Sequence, residues 1–323
     1  MQRFGAILKR ALEAPKNIPA GDLAGMLSCD DDGAWAEAFA AAREVKKACG
    51  RGETLLRGLV ECSNICAKDC RYCGIRRSNR NVPRYRMETA EVRECVERIR
   101  QAGFSAVAFQ GGETESEGNS AYYEEILAGC RGLEVTLSLG EQEEAVYRRW
   151  REAGALRYLL RIETSNRELY ARLHPAGCSF DRRVQCIRTL KRLGYVTGTG
   201  VMIGLPGQTV EDLAADIVFF ADMDVDMVGM GPWIRHPAAA LSDAGAVSPE
   251  RAFSLSLRMI ALARLYLHSV NIVSSTALGM LGGENGGESG IAAGANVLMP
   301  NFTPARYRDA YDLYPGKADV QIK

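Results

Sequence analysis

The sequence predicts an α/β protein: a (β/α)8 barrel of the TIM type carrying an N-terminal helical extension. Three observations predict it. Eight short, largely apolar segments read as strands buried on both faces. Amphipathic helical text with start and stop signals fills the intervals between them. No low-complexity linker and no repeat of roughly 20–50 residues divides the 323-residue chain. The rival arrangement of the same elements is a doubly wound open sheet.

Residues 1–50 read as helical and polar and form the extension; residues 51–323 are expected to be one barrel domain. Strands are expected at 54–61, 105–110, 134–139, 157–162, 199–205, 226–230, 271–275 and 296–299. Between the first two lies TAEVRECVERIRQAG, where Thr89 is positioned to cap the start and Gly103 to end the helix. Its Val92, Cys95, Val96 and Ile99 make one apolar face. In SFDRRVQCIRTLKRLG, Ser179 caps, Val184, Ile187 and Leu190 face inward, and Gly194 stops the helix. TVEDLAADIVFF pairs Thr209 with Asp212 three residues on, a variant of the capping box. The glycine-rich run 278–294 reads as a flexible loop at the barrel mouth, and it holds no basic residue to support phosphate binding.

An apolar share of 47% supports a large core. Lys+Arg and Asp+Glu balance at 40 each, so no net charge argues for nucleic acid or an anionic membrane as partner. No apolar run approaches the about 20 residues that span a bilayer. The basic, amphipathic N-terminus lacks the apolar core of a secretory signal. The chain is therefore expected in the cytoplasm, where clustered cysteines serve as metal ligands or redox groups rather than disulfides.

Four of the ten cysteines fall within CSNICAKDCRYCGIRR, residues 62–77. Cys66, Cys70 and Cys73 have the spacing C-x3-C-x2-C, which lets one tight loop aim three thiolates at an iron–sulfur cluster. Three ligands on a four-iron cube leave one iron open to a substrate or cofactor. Counting Cys62 gives four ligands and a closed cluster or a zinc site; Cys62, however, ends the apolar strand, whereas the other three lie beyond it. The histidines, at 174, 236 and 268, are all distant in sequence; His236, in WIRHPAAA, reads as a polar lid residue.

Further polar residues sit at strand ends. Gly111 and Gly112 before Glu113 allow close backbone approach to a ligand. Thr136 and Ser138 share one face of a strand, and Arg157, Arg161 and Glu163 share one face of the next. Charges and hydroxyls on strands this apolar need partners.

The cysteine spacing, with Tyr72 before the last Cys and Gly74 after it, on the loop following the first strand, resembles the radical S-adenosylmethionine (SAM) superfamily. The resemblance implies a 4Fe-4S cluster on Cys66, Cys70 and Cys73. It implies SAM on the open iron and reductive cleavage to a 5′-deoxyadenosyl radical. It also implies roles for single residues: Tyr72 beside the cofactor, Gly111, Gly112 and Glu113 at the SAM amino group, and Ser138 nearby. Glu163 would take the ribose hydroxyls, Arg183 (or its neighbour Arg182) the methionine carboxylate, and Met227 the adenine. Taken together, QGGE, TLSLGE, RYLLRIET, GLPGQT, DMVGMGPWIRHP, ANVLMPNFTPARYR and LYPGK are similar to the HydE family of FeFe-hydrogenase maturases, over about residues 50–317. Methylornithine synthases and biotin synthases are near relatives.

That likeness implies a cysteine-bound iron complex with CO and cyanide as substrate, in a cavity of Arg157, Thr136, Arg161, Thr276, Thr303 and Tyr307. It implies a ferredoxin or flavodoxin as electron donor and other hydrogenase maturases as partners. The chain departs from some relatives after LYPGK, where Asp319 replaces the first of three further cysteines; no second cluster is expected. A monomer is expected. The competing functions are a radical SAM mutase or C–S bond-forming enzyme on a small amino-acid-like substrate, and a non-enzymatic iron–sulfur carrier.

Overall fold

The structure, a computed structural model, describes residues 2–317; Asp319 lies outside the described residues. Three helices lead: α1 (Gln2–Glu13), α2 (Ala20–Leu27) and α3 (Asp32–Ala48). They bury Leu23, Met26, Leu27 and Trp35 almost completely. The first strand run then appears as two pieces, β1 (Leu55–Leu56) and β2 (Gly58–Ser63), interrupted at Arg57. After it come α4 (Thr89–Gln101), β3 (Ala106–Gly111), α5 (Glu117–Ala128), β4 (Glu134–Ser138), α6 (Glu144–Glu152) and β5 (Ala155–Leu159).

Two helices follow, α7 (Arg167–Leu173) and α8 (Phe180–Arg192), and then the fifth strand run, also broken: β6 (Val196–Thr199) and β7 (Met202–Ile203). The break falls at Gly200, where a Cβ would lie 1.8 Å from the Gly229 carbonyl oxygen. The series continues through α9 (Val210–Asp222), β8 (Met227–Pro232), α10 (Pro249–Leu267), β9 (Asn271–Ser274), α11 (Thr276–Leu281), α12 (Gly286–Ala293), β10 (Val297–Leu298) and α13 (Ala305–Arg308). α2 packs on α9, and α3 on α10.

All pairings named in the sheet are parallel, in the order β1-β10-β9-β8-β6-β5-β4-β3-β2, with β7 on β8. The two ends of that path are the two halves of one strand run. The sheet therefore closes on itself into a barrel, and the open doubly wound sheet, which leaves two edges, is excluded. Alternation does the rest. Phe109, Leu137 and Tyr158 face outward and are fully buried with Tyr123, Tyr147 and Trp150 of α5 and α6. Each such side chain contributes roughly 1.5–3 kcal/mol. The opposite faces of β3, β4 and β5 put Gln110, Thr136, Ser138 and Arg157 toward the lumen, on rungs that pair Thr136 with Arg157 and Gln110 with Ser138.

Three local expectations change. Thr89 is the first helical residue, not the cap; Glu88 precedes it, its N–H donates to the Glu91 carboxylate at 2.9 Å, and the Thr89 hydroxyl donates to Glu125. The fourth strand begins at Ala155 and ends at Leu159, two to three residues earlier than expected. The glycine-rich run is mostly helical. Its glycines serve close packing rather than flexibility: a Cβ on Gly290 would lie 2.2 Å from Ser274 Oγ, and one on Gly286 2.6 Å from the Gly279 carbonyl oxygen. Ser179, and Thr209 with Asp212, cap α8 and α9 as the sequence predicts.

Candidate functional site

The cysteine loop leaves the carboxyl end of β2, the end where barrel enzymes carry their chemistry. Arg84 clasps it, donating to the carbonyls of Asn64 and Ile75 at 2.7 Å and of Asn79 at 3.0 Å. Cys66, Cys70 and Cys73 are free thiols, half-buried along this loop. Burial pushes all three up, Cys73 to about 12; the neighbouring thiols of the set add to this at Cys70 and Cys73, and the Glu113 carboxylate does so at Cys66. Thiolates here need a cation, and an iron centre supplies one. Cys62 does not join them. It is completely buried on the outer face of β2, in the electrostatic company of Cys95 and Cys130. Among the described residues no three His, Cys, Asp or Glu side chains converge as ligands of one ion, a geometry that a four-iron cube does not require.

The segment after β3 lies against this loop. Gly112 N–H donates to the Ser63 carbonyl at 2.9 Å, and Ala67 N–H donates to the Glu113 carbonyl at 2.7 Å. Gly111 is equally confined, since a Cβ there would meet the Tyr123 hydroxyl at 2.5 Å. The Glu113 carboxylate is buried, and burial raises its pKa against the pull of Arg183 and Lys68. Its Oε1 stands 3.0 Å from Lys68 Nζ, close enough for an ion pair but off the direction of a hydrogen bond, so it has no hydrogen-bond partner.

Arg183, near the start of α8, is buried and held on two sides. Nε donates to Glu141 Oε1 at 2.6 Å, and Nη1 donates to the Arg161 carbonyl at 2.6 Å. Nη2 is 3.7 Å from Glu113 Oε2. Arg182 is more exposed and serves Glu115 and Glu143. The geometry therefore favours Arg183 over Arg182 as the inward guanidinium. Lys68, Arg84 and Glu141 are the site residues that sequence reasoning missed. Lys68 was legible only as the middle residue between Cys66 and Cys70, and Glu141 only as an acid following a strand end.

Glu163 follows the β5 run and closes the group. Its backbone is left-handed, φ 68°, a conformation costly for a glutamate and found where a site dictates it. Burial raises its carboxyl, and its Oε2 lies 3.0 Å from Arg161 Nη2 without a hydrogen bond. Tyr72 packs with Leu169, Leu173 and Trp233 and meets the His174 ring edge-on at 5.6 Å. Asp216 of α9 supports the loop after Glu163, accepting from Ser165 N–H and Oγ at 2.6 Å each.

The lumen residues divide. Thr136 Oγ1 and Arg161 Nε are buried without partners. Ser138 is half-buried beside Gln110. Thr276 opens α11 at the mouth. Arg157 sits lower, donating to Glu134 at 2.6 Å at the amino end of β4, with its Nε and Nη1 unpartnered. Met227 is the first residue of β8 and accepts from Arg57 at 3.4 Å; it stands at the end of the barrel opposite the cysteine loop, so the structure does not bring it to the adenine position expected. Thr303 Oγ1 is occupied by the Glu61 N–H at 2.8 Å. The Tyr307 hydroxyl points to Glu91 of α4, 2.8 Å away, and its ring stacks on Tyr85; it faces the outer helix rather than the cavity. His236 is buried, not a lid, with Nε2 2.8 Å from Asp312. One surface cleft, lined by Ser165, Arg167, Phe180 and Asp222 among others, lies on the outer helices away from this group. No described helix is long and apolar enough to cross a membrane.

Comparison with known proteins agrees with this layout. The family described as the Radical SAM superfamily matches residues 60–220. The [FeFe] hydrogenase maturase subunit HydE of Thermotoga maritima is 42% identical over 300 residues, covering 91% of this chain and 83% of the relative. A 3-methylornithine synthase of Methanosarcina acetivorans is 26% identical, covering 100% of this chain and 90% of its own length. The crystal structure of methylornithine synthase superposes with a TM-score of 0.79 at 24% identity, covering 91% of this chain and 85% of that one. A four-stage agreement of barrel, cysteine loop, buried carboxylates and extended identity leaves one conclusion: the chain belongs to the radical SAM superfamily of enzymes, within the HydE family.

Proposed function

We propose that Cys66, Cys70 and Cys73 hold a 4Fe-4S cluster whose fourth iron takes SAM. We further propose that the chain acts in FeFe-hydrogenase maturation on a cysteine-bound iron complex carrying CO and cyanide. One observation carries the cofactor reading. Two buried carboxylates with unsatisfied oxygens, Glu113 and Glu163, flank an inward guanidinium, Arg183, beside three thiols on one loop. When bound, the cluster and SAM supply an electron and a 5′-deoxyadenosyl radical.

The chain's own residues bind and exclude. Glu113 Oε1 accepts from an ammonium, and Glu163 accepts from a vicinal diol. Arg183 Nη2, which makes no hydrogen bond with the described residues, faces a carboxylate. Tyr72 and its apolar neighbours wall the group from water. Ser138 lies on the rung of Gln110, near the same end. Below it, the free donors of Thr136, Arg161 and Arg157 suit an anionic substrate. A ferredoxin or flavodoxin is the class of donor that such a cluster requires, and other maturases are the partners the HydE likeness supports.

The test is anaerobic. Reconstituted protein with dithionite and SAM is expected to release 5′-deoxyadenosine, and Cys73→Ala to release none. No release by the wild type overturns the enzymatic reading in favour of an iron–sulfur carrier. Added iron–cysteine–carbonyl complex is expected to be consumed. If it stays unchanged while lysine-like amino acids are converted, the mutase reading, which the 3-methylornithine synthase likeness favours, replaces the maturase.

A further inference from the structure

β2 points Leu59 and Glu61 into the barrel, because Gly58, Val60 and Cys62 face α4; a Cβ on Gly58 would lie 2.4 Å from Ile99. Glu61 is fully buried. A buried carboxylate costs several kcal/mol unless it is paired and hydrogen-bonded. Asn301 Nδ2 donates to Oε2 at 3.1 Å, and the counter-ion on Oε1 is the ammonium of Lys317, from a segment far along the chain.

That segment, residues 309–317, is a strap across the mouth. Tyr311 is buried beside Ile75 and Val82, Asp312 bonds His236, and the Leu313 carbonyl accepts from Gly74 N–H on the cysteine loop at 3.2 Å. Gly316 then passes Met280 of α11, where a Cβ would touch at 3.5 Å. Lys317 drops back with its ammonium 4.9 Å from the Tyr311 ring centre. Tyr314 is half-buried, within electrostatic reach of both Glu61 and Arg161. These two come from different walls of the barrel, β2 and the run beyond β5. A carboxylate and a guanidinium on two walls of one lumen match the two charges of an amino acid, and here the strap's Lys317 already occupies the carboxylate.

We propose that Glu61 is the ammonium site for an amino-acid-type substrate, and that Lys317 is the resident cation which that substrate displaces. A purely mechanical latch has little need of charge, since well-packed apolar pairs often replace buried ion pairs at no loss of stability. A lysine, a compact ammonium on a flexible stem, reproduces the ligand group that a guanidinium does not. The proposal rests on reading the lumen as the substrate chamber.

Calorimetric titration of the anaerobically reconstituted full chain with n-butylammonium chloride, against potassium chloride at equal ionic strength, tests it. Lys317 competes from a tether, so Lys317→Met is expected to bind the probe at least about tenfold more tightly than wild type. Glu61→Gln combined with Lys317→Met is expected to lose that binding. Equal affinities of wild type and Lys317→Met, or binding retained in the double variant, overturn the proposal. Hydrogen exchange on the wild type guards against a variant that misfolds. L-norvaline is expected to speed exchange of the amides of residues 313–317, and unchanged exchange at saturating L-norvaline also overturns it. Wild-type release of 5′-deoxyadenosine without substrate reads the cofactor assignment separately. If release persists while the titrations fail, only this proposal falls; if release is absent, the enzymatic reading falls first.

Discussion

Replacing Gly112 by alanine drives a methyl group into the cysteine loop. The new Cβ would lie 2.3 Å from the Ile65 carbonyl oxygen, 2.7 Å from its carbon and 2.9 Å from Cys66 Cβ. Ordinary contact begins at 3.4 Å, so one backbone must retreat by about 1 Å. Neither retreats freely. Gly112 is tied to Ser63, and Ala67 is tied to Glu113, by hydrogen bonds of 2.9 and 2.7 Å. Overpacking of this kind costs about 1–3 kcal/mol, and the displacement falls on the residue that carries the first thiol of the set. Two measurements follow: the denaturant midpoint of the apoprotein, and iron per chain after anaerobic reconstitution. Both are expected to fall. Gly118→Ala is the control, because nothing lies within 4 Å of its new methyl and it sits in a helix; it is expected to be neutral or stabilising by up to about 1 kcal/mol. A Gly112→Ala protein with wild-type midpoint and wild-type iron content would refute the close-approach argument.

Three further outcomes are expected. Cys62→Ala keeps the full iron content at a cost of about 1 kcal/mol in stability, whereas Cys66→Ala loses the iron; equal losses in iron analysis would restore the four-thiol reading. Glu141→Gln removes the one carboxylate hydrogen-bonded to the buried Arg183, leaving only the more distant Glu113, and costs about 3 kcal/mol, with weaker SAM binding by equilibrium dialysis; unchanged affinity would mean that Arg183 is positioned without Glu141. Burial raises the Asp216 carboxyl to about 7 from 3.8, so the folded chain holds that proton more tightly than the unfolded chain. Its contribution is full below about pH 4, declines as pH rises and is gone above about pH 7, a swing of at most roughly 4 kcal/mol. Asp216→Asn keeps an acceptor for Ser165 and flattens that slope between pH 5 and 8 in thermal melts; parallel wild-type and variant slopes would count against it.

Local patterning in this chain reveals what local physics controls. Strands buried on both faces are largely apolar even where a few polar residues line the lumen, so all eight runs were legible, and Ser179 and Thr209 announced their helices. Thr89 misled because Glu88 and Glu91 form the capping contacts one residue earlier. Glycines 279–290 misled because composition does not distinguish mobility from close helix packing, which depends on Ser274 and on the facing turn. Face sharing correctly set Arg161 and Glu163 together, but alternation says nothing about height in a barrel. Arg157 and Met227 therefore sit lower than the cysteine loop. Tyr307 was drawn outward by Glu91, 216 residues away in sequence, and Lys317 was drawn inward by Glu61. Such pairings have no short-range signal.

The hoop is closed by an ordinary parallel ladder. Between its first and last strands run the amides of Leu55, Arg57 and Leu59, donating to the carbonyls of Asn296, Leu298 and Pro300, with Phe302 N–H returning to Leu59. Every strand run of the described residues therefore has a neighbour on both sides. An open sheet would offer a row of unpaired N–H and C=O groups to another chain, a template for edge-to-edge aggregation. This barrel withholds that template.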